Sequence, residues 1–219
     1  MKKLQFLAIS IALCSGSAYA APNAKIAKIF THNVIGSKVA QLEKFAGKPI
    51  AIDSKAGTRR YKVGSCEVTA YMKGGKTASL EMATSPQCTF DLEKLTASAP
   101  KGTWAHTLNY GTAYRELGDG HFTADCLSSC RGTPSVYMTW EGPHSDKFLQ
   151  LRLQTELRGK NAKTAAESWA RHMREKESTE YVESKRFNTD TTYDEAAALA
   201  LGGVTITRIR AGRGIVKGN

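Results

Sequence analysis

With 219 residues and a formal net charge of +11, the chain is long enough for one large domain or two small units sharing an interface. Charges interrupt every apolar run beyond residue 20, which excludes a membrane-spanning helix in that part of the sequence. The basic excess permits attraction to lipid headgroups, acidic glycans or an acidic protein, although Lys and Arg are spread along the whole chain and serve solubility equally well.

The sequence opens with Lys2 and Lys3, an apolar run from Leu4 to Cys14 and an Ala18-Tyr19-Ala20 ending. This is the charge, core and small-residue order of a secretory signal peptide. The run is about half as long as the ~20 residues a membrane anchor needs. Cleavage is expected after Ala20, giving a periplasmic or secreted protein. Bulky Leu13 before Cys14 argues against lipidation at that cysteine. Nucleic acid is not an expected partner in such a compartment.

Cys66, Cys88, Cys126 and Cys130 follow, and an even count in an exported chain predicts two disulfides with three possible connectivities. Strand geometry favours one of them. With a hairpin centred between Gly74 and Gly75, Cys66 faces Ala83, and a short excursion past Pro86 brings Cys88 back to it. Cys126 and Cys130 are then left to close a local loop. Their spacing, with His121 nearby, also suits a soft metal or a redox pair. Local structural bridges are the commoner use, so no metal or cofactor is expected.

In chain order, residues 23 to 33 read as a mixed lead-in with a short helix. Ser37 is placed to cap a helix that buries Val39, Leu42, Phe45 and Ala46 and ends at Gly47 and Pro49. Ile50 to Asp53 and Tyr61 to Val63 read as short strands. The Gly74-Gly75 hairpin follows, with Val68, Ala70, Met72, Ala78, Leu80 and Met82 on one face. A second helix is predicted from Asp91, burying Leu92 and Leu95. Pro100, Lys101 and Gly102 break periodicity and mark a joint.

The order then repeats. A helix over 107 to 117 presents Tyr110, Tyr114 and Leu117. Strands are predicted at His121 to Asp125, Ser135 to Glu141 and Phe148 to Thr155. An amphipathic helix runs from Ala162 to Lys176, its outer side carrying Glu167, Arg171 and Glu175. Ser178 to Thr192 reads as loop, Tyr193 to Leu201 as helix and Val204 to Arg210 as strand, with a mobile tail after Ala211. The reading is thus α+β: a signal peptide (1–20), two helix-plus-meander units (21–100 and 101–177), and an extension with a basic tail (178–219). The helices cover one sheet face and leave the other open.

No nucleophile elbow, phosphate loop, zinc-protease motif or calcium loop is present, and the five histidines are scattered without ligand spacing. Ser128, His121 and Asp125 carry little weight as a catalytic set, so no catalytic residue is expected. The residues predicted to point away from the helices are more informative. They include Glu67, Thr69, Tyr71, Ser79 and Glu81 in the first unit. In the second they include His121, Thr123, Tyr137, Thr139, Gln150, Arg152 and Gln154. Antiparallel sheets often solvate such a face, but tyrosine and arginine also suit a recognition platform. Trp104 and His144 are expected at its edge, and Trp140 and Trp169 in the core.

Gly36 to Met82, with the Gly47-Lys48-Pro49 element and a glycine hairpin, resembles the small lipoprotein component of the outer-membrane β-barrel assembly machinery. Doubling that unit, with a disulfide in each half, looks like the β-lactamase inhibitory protein architecture. The resemblance implies a concave sheet that docks another protein. It departs in the missing lipidation site, the added C-terminal segment and the basic charge. The expected role is an exported protein-binding module, an inhibitor or immunity-type factor whose partner is an envelope or extracellular protein. The alternative is an envelope accessory protein whose tail of Arg208, Arg210, Arg213 and Lys217 meets anionic lipid. An unrecognised hydrolase comes third.

Overall fold

The computed structural model describes residues 21–143 and 149–215. Residues 1–20, where a signal peptide is expected, lie outside the described residues, as do His144 and Lys217. The fold is α+β. Two helices, α1 (Ala24–Ile29) and α2 (Val39–Ala46), precede strands β1 (Ala51–Asp53), β2 (Thr58–Val63), β3 (Cys66–Lys73) and β4 (Lys76–Ala83). Helix α3 (Tyr110–Leu117) then leads into β5 (His121–Ala124), β6 (Ser135–Glu141) and β7 (Gln150–Glu156). Helices α4 (Lys160–Lys176), α5 (Thr179–Glu183) and α6 (Asp194–Leu201) come before the last strand, β8 (Arg208–Gly212).

All eight strands form one antiparallel sheet in the order β1-β2-β3-β4-β8-β7-β6-β5. Alternation explains which face is dry. Val68, Ala70, Leu80, Met82, Ile209, Leu151, Leu153, Val136, Met138 and Phe122 are all fully buried toward the helices. Leu42 and Ala46 anchor α2 on this side, and Trp169, Ala170 and Met173 anchor α4. Trp140 and Trp169 are core residues whose indole N–H groups donate to the Leu117 and Tyr193 carbonyls. The outer side of α4 is solvated, as its charges predict, but its ion pair joins Arg174 to Glu167.

The disulfides are Cys66–Cys88 and Cys126–Cys130, with Cα separations of 5.5 and 5.6 Å. Both fit an oxidising environment. Among the described residues, no helix is long and apolar enough to cross a membrane.

Several expectations are corrected. Ser37 does not cap α2. Its backbone carbonyl accepts from Thr77 N–H at 2.8 Å, which draws the residue into pairing with β4, and its hydroxyl turns back to the Val34 carbonyl. The segment after Asp91 is one 3-10 turn, Leu92–Lys94, although Leu92 and Leu95 are buried as expected. Residues 178 to 192 are not loop: α5 and two 3-10 turns bury Tyr181, Val182 and Phe187. The β3–β4 ladder contains a bulge. Met72 pairs with Thr77 but Tyr71 pairs with Ser79, so Ala78 is passed over and Thr77 takes its place toward the helices. Cys66 therefore faces a position one later than Ala83.

The largest correction concerns the C-terminal end. Arg208 and Arg210 do not belong to a free basic tail, because β8 lies at the centre of the sheet between β4 and β7. Two isolated bridges precede α2 and α3. Lys38 before α2 pairs with Lys76 at the start of β4, and Asn109 before α3 pairs with Thr205 just before β8. In the second unit the helical segment α4–α6 is inserted between the third and fourth strands. The segment set apart as an extension thus supplies the strand that joins the two halves.

Candidate functional site

On the face away from the helices, cross-strand register lines up Thr69, Glu81, Arg210, Arg152, Thr139 and His121 in one row over six strands. The open face read from the sequence is therefore one continuous surface, to which β8 adds Arg208 and Arg210. Most of these side chains are half-buried.

Two arginine–tyrosine stacks organise it. The Arg210 guanidinium lies 3.5 Å from the Tyr71 ring centroid, and that of Arg152 lies 3.9 Å from the Tyr137 centroid. Around the first stack the polar atoms are paired. Tyr71 donates to Glu81 at 3.0 Å, Arg208 donates to the other Glu81 oxygen at 3.0 Å, and Arg210 Nε donates to Ser79 Oγ at 2.9 Å. Burial lowers the Arg210 guanidinium from its usual value, while burial and the Glu81 charge raise the Tyr71 phenol. The strands come together tightly here. A Cβ on Gly212 would stand 2.2 Å from the Ser79 Cβ, so only glycine fits beside the bulge.

The second stack opens into a cleft of about 600 Å³. Its floor includes Thr123, Tyr137, Thr139 and Arg152, and its walls include Lys185, Asn188 and Ile215. Tyr137 donates to Asp125 at 3.0 Å, and burial leads in raising its phenol. Arg152 Nε is shielded from water and makes no hydrogen bond. Lys185 adopts a left-handed backbone with φ of 60°, which costs a non-glycine residue about 1 kcal/mol. The 3-10 turn that follows carries Asn188 to the sheet edge.

At that edge His121 Nδ1 meets Asp194 at 3.1 Å and Nε2 meets the Asn188 carbonyl at 2.9 Å. Two acceptors require two donating nitrogens, so the imidazolium is the form that fits, and the Asp194 hydrogen bond raises its pKa. Asp194 also accepts from Phe122 N–H, and the Asn188 side chain both accepts from Ala124 N–H and donates to its carbonyl. These contacts occupy the Phe122 N–H and the Ala124 N–H and carbonyl on an edge strand whose free groups would otherwise template another chain.

The sequence-predicted residues are distributed as follows. Tyr137, Thr139 and Arg152 line the cleft, with Gln150 beside it, where its Oε1 accepts from Ile215 N–H at 2.7 Å. Tyr71 holds the other half of the face. Trp104 is not among the cleft residues; it precedes a 3-10 turn in the connection between units and pairs with Asp91. Asp125 bonds Tyr137 and Ser135, not His121, so the sequence trio with Ser128 is not assembled through that contact. Cys126 and Cys130 are bonded to each other, which leaves no thiolate there. Among the described residues, no three His, Cys, Asp or Glu side chains are placed to hold a metal ion.

The sequence does not mark Lys185, Asn188 or Asp194 as site residues, and it offers Arg208 and Arg210, on a predicted strand, only as part of a lipid-meeting tail. Their position depends on β8 entering the sheet centre and on the inserted helices returning to β5. The alternation of Arg208, Arg210 and Gly212 around Ile209 and Ala211 was the available signal for a two-faced strand.

In comparisons with protein-family models, curated proteins and solved structures, nothing matches this chain.

Proposed function

We propose that this is an exported protein-binding module, periplasmic or secreted, that docks an envelope or extracellular protein on its open sheet face as an inhibitor or immunity-type factor. The observation that carries the reading is the pair of arginine–tyrosine stacks on one polar face. Both aromatic rings are held in fixed poses, which lowers the ordering cost of binding. Tyrosine and arginine are also the residue types that concentrate binding energy at interfaces. The surrounding cleft gives the surface concavity. The binding is non-catalytic and uses no cofactor.

Affinity capture from an envelope extract tests the proposal. The wild-type chain should retain a discrete partner, and the triple variant Tyr71→Ala, Tyr137→Ala, Arg152→Gln should lose it while keeping its circular-dichroism spectrum. Equal retention by the folded triple variant would remove the open face as the binding surface.

A further inference from the structure

The two stacks are alike in geometry and unlike in pairing. Arg208 and Arg210 have Glu81, Ser79 and Tyr71 as partners. Arg152 has only the Tyr137 ring among the contacts described, and its Nε makes no hydrogen bond. Arg152 and Arg210 also stand directly opposite each other on β7 and β8, a like-charge pairing that an anion would relieve. The cleft acids do not answer Arg152 through an ion pair: Asp125 accepts from Tyr137 and Ser135, and Glu141 accepts from Gln150. The His121 charge is met by Asp194.

We infer that the cleft receives an aspartate or glutamate side chain of an acidic segment on the docked protein, held by Arg152 with Lys185 at the rim. This rests on the open face being the docking surface. A planar carboxylate matches the Nε–Nη edge of a guanidinium with two parallel hydrogen bonds. Engaging that edge draws the guanidinium out of the pose in which Nε is unbonded. Ile215 and the Tyr137 ring offer apolar contact for the methylenes of the entering side chain. Asp125 and Glu141 in the same lining repel added negative charge, so a singly charged carboxylate suits the cleft better than a doubly charged phosphate.

Hexaglutamate, glutarate and inorganic phosphate, titrated into the full folded protein at low salt, test this inference. Hexaglutamate should bind, weaken at least tenfold in Arg152→Gln, and change less than twofold in Arg171→Gln, which removes the same charge from the outer side of α4. The Arg152 Nε–Hε resonance of the unmutated protein should move on hexaglutamate addition, which keeps the test valid if a variant fails to fold. An unmoved resonance, or equal weakening in both variants, would overturn the inference. So would glutarate or phosphate binding as tightly as hexaglutamate. Loss of partner capture in Tyr71→Ala, Tyr137→Ala with no effect of Arg152→Gln would leave the docking face standing and remove the carboxylate.

Discussion

His121 shows how much one side chain on this face does. It ties β5 to Asp194 at the start of α6 and to Asn188 in the preceding turn, and it needs its positive charge to donate to both. Its folded pKa is raised, so the stability it contributes is fully present below the unfolded value of about 6.5 and is lost as pH rises through the higher folded value. Replacing His121 with Gln should destabilise the protein by about 1 kcal/mol at pH 5. The penalty should shrink at pH 9, which denaturant melts at the two pH values would show; an equal penalty at both would exclude a charged His121. Gly212 is the other residue with a sharp expectation. Because a Cβ there collides with Ser79, Gly212→Ala should cost about 2 kcal/mol, read from the same melts. A neutral effect would mean that β4 and β8 separate easily.

Among the elements, the edge strand β5 and the two disulfides are the most exposed to test. Asn188→Ala removes the side chain that occupies both backbone groups of Ala124, and should cost about 1 to 2 kcal/mol while increasing aggregation measured by light scattering. The Cys66–Cys88 link spans 22 residues and the Cys126–Cys130 link spans 4. Replacing the first pair with serine should therefore cost about 3 kcal/mol and the second about 2. Equal losses would place the effect in the folded state instead of in loop closure. The sequence favours both pairings because the glycine hairpin brings Cys88 back toward Cys66 and leaves Cys126 and Cys130 to close a local loop. Alternation likewise identified Tyr71, Tyr137, Thr139, Gln150 and Arg152 as outward-facing. The bulge at Ala78 was not legible: even alternation carries the inward face from Met82 and Leu80 on to Ala78, and only the pairing of Met72 with Thr77 passes it over. The helical turns over 178 to 192 were hidden by their short length and polar composition: Tyr181, Val182 and Phe187 are buried by tertiary contact, not by a sustained helical period.

In the whole molecule, the two halves are joined through β8. A sequence read from one end to the other leaves the C-terminal segment as an appendage. Pairing with both β4 and β7 satisfies the backbone groups on both sides of β8 and places Arg208 and Arg210 in the middle of the open sheet face. Truncation after Thr207 should therefore abolish cooperative unfolding, not merely detach a membrane-seeking tail. A truncated chain with an unchanged melting transition would show that the halves are stable apart.

The polar sheet face, and not the helical side, is proposed to meet a partner. Photo-cross-linking in the native envelope tests it most directly, with the reactive side chain placed at Gln154 on the open face or at Arg171 on the outer side of α4. A discrete adduct from position 154 and none from position 171 is the predicted result. The same adduct from position 171, with none from position 154, would move the docking surface to the helical side.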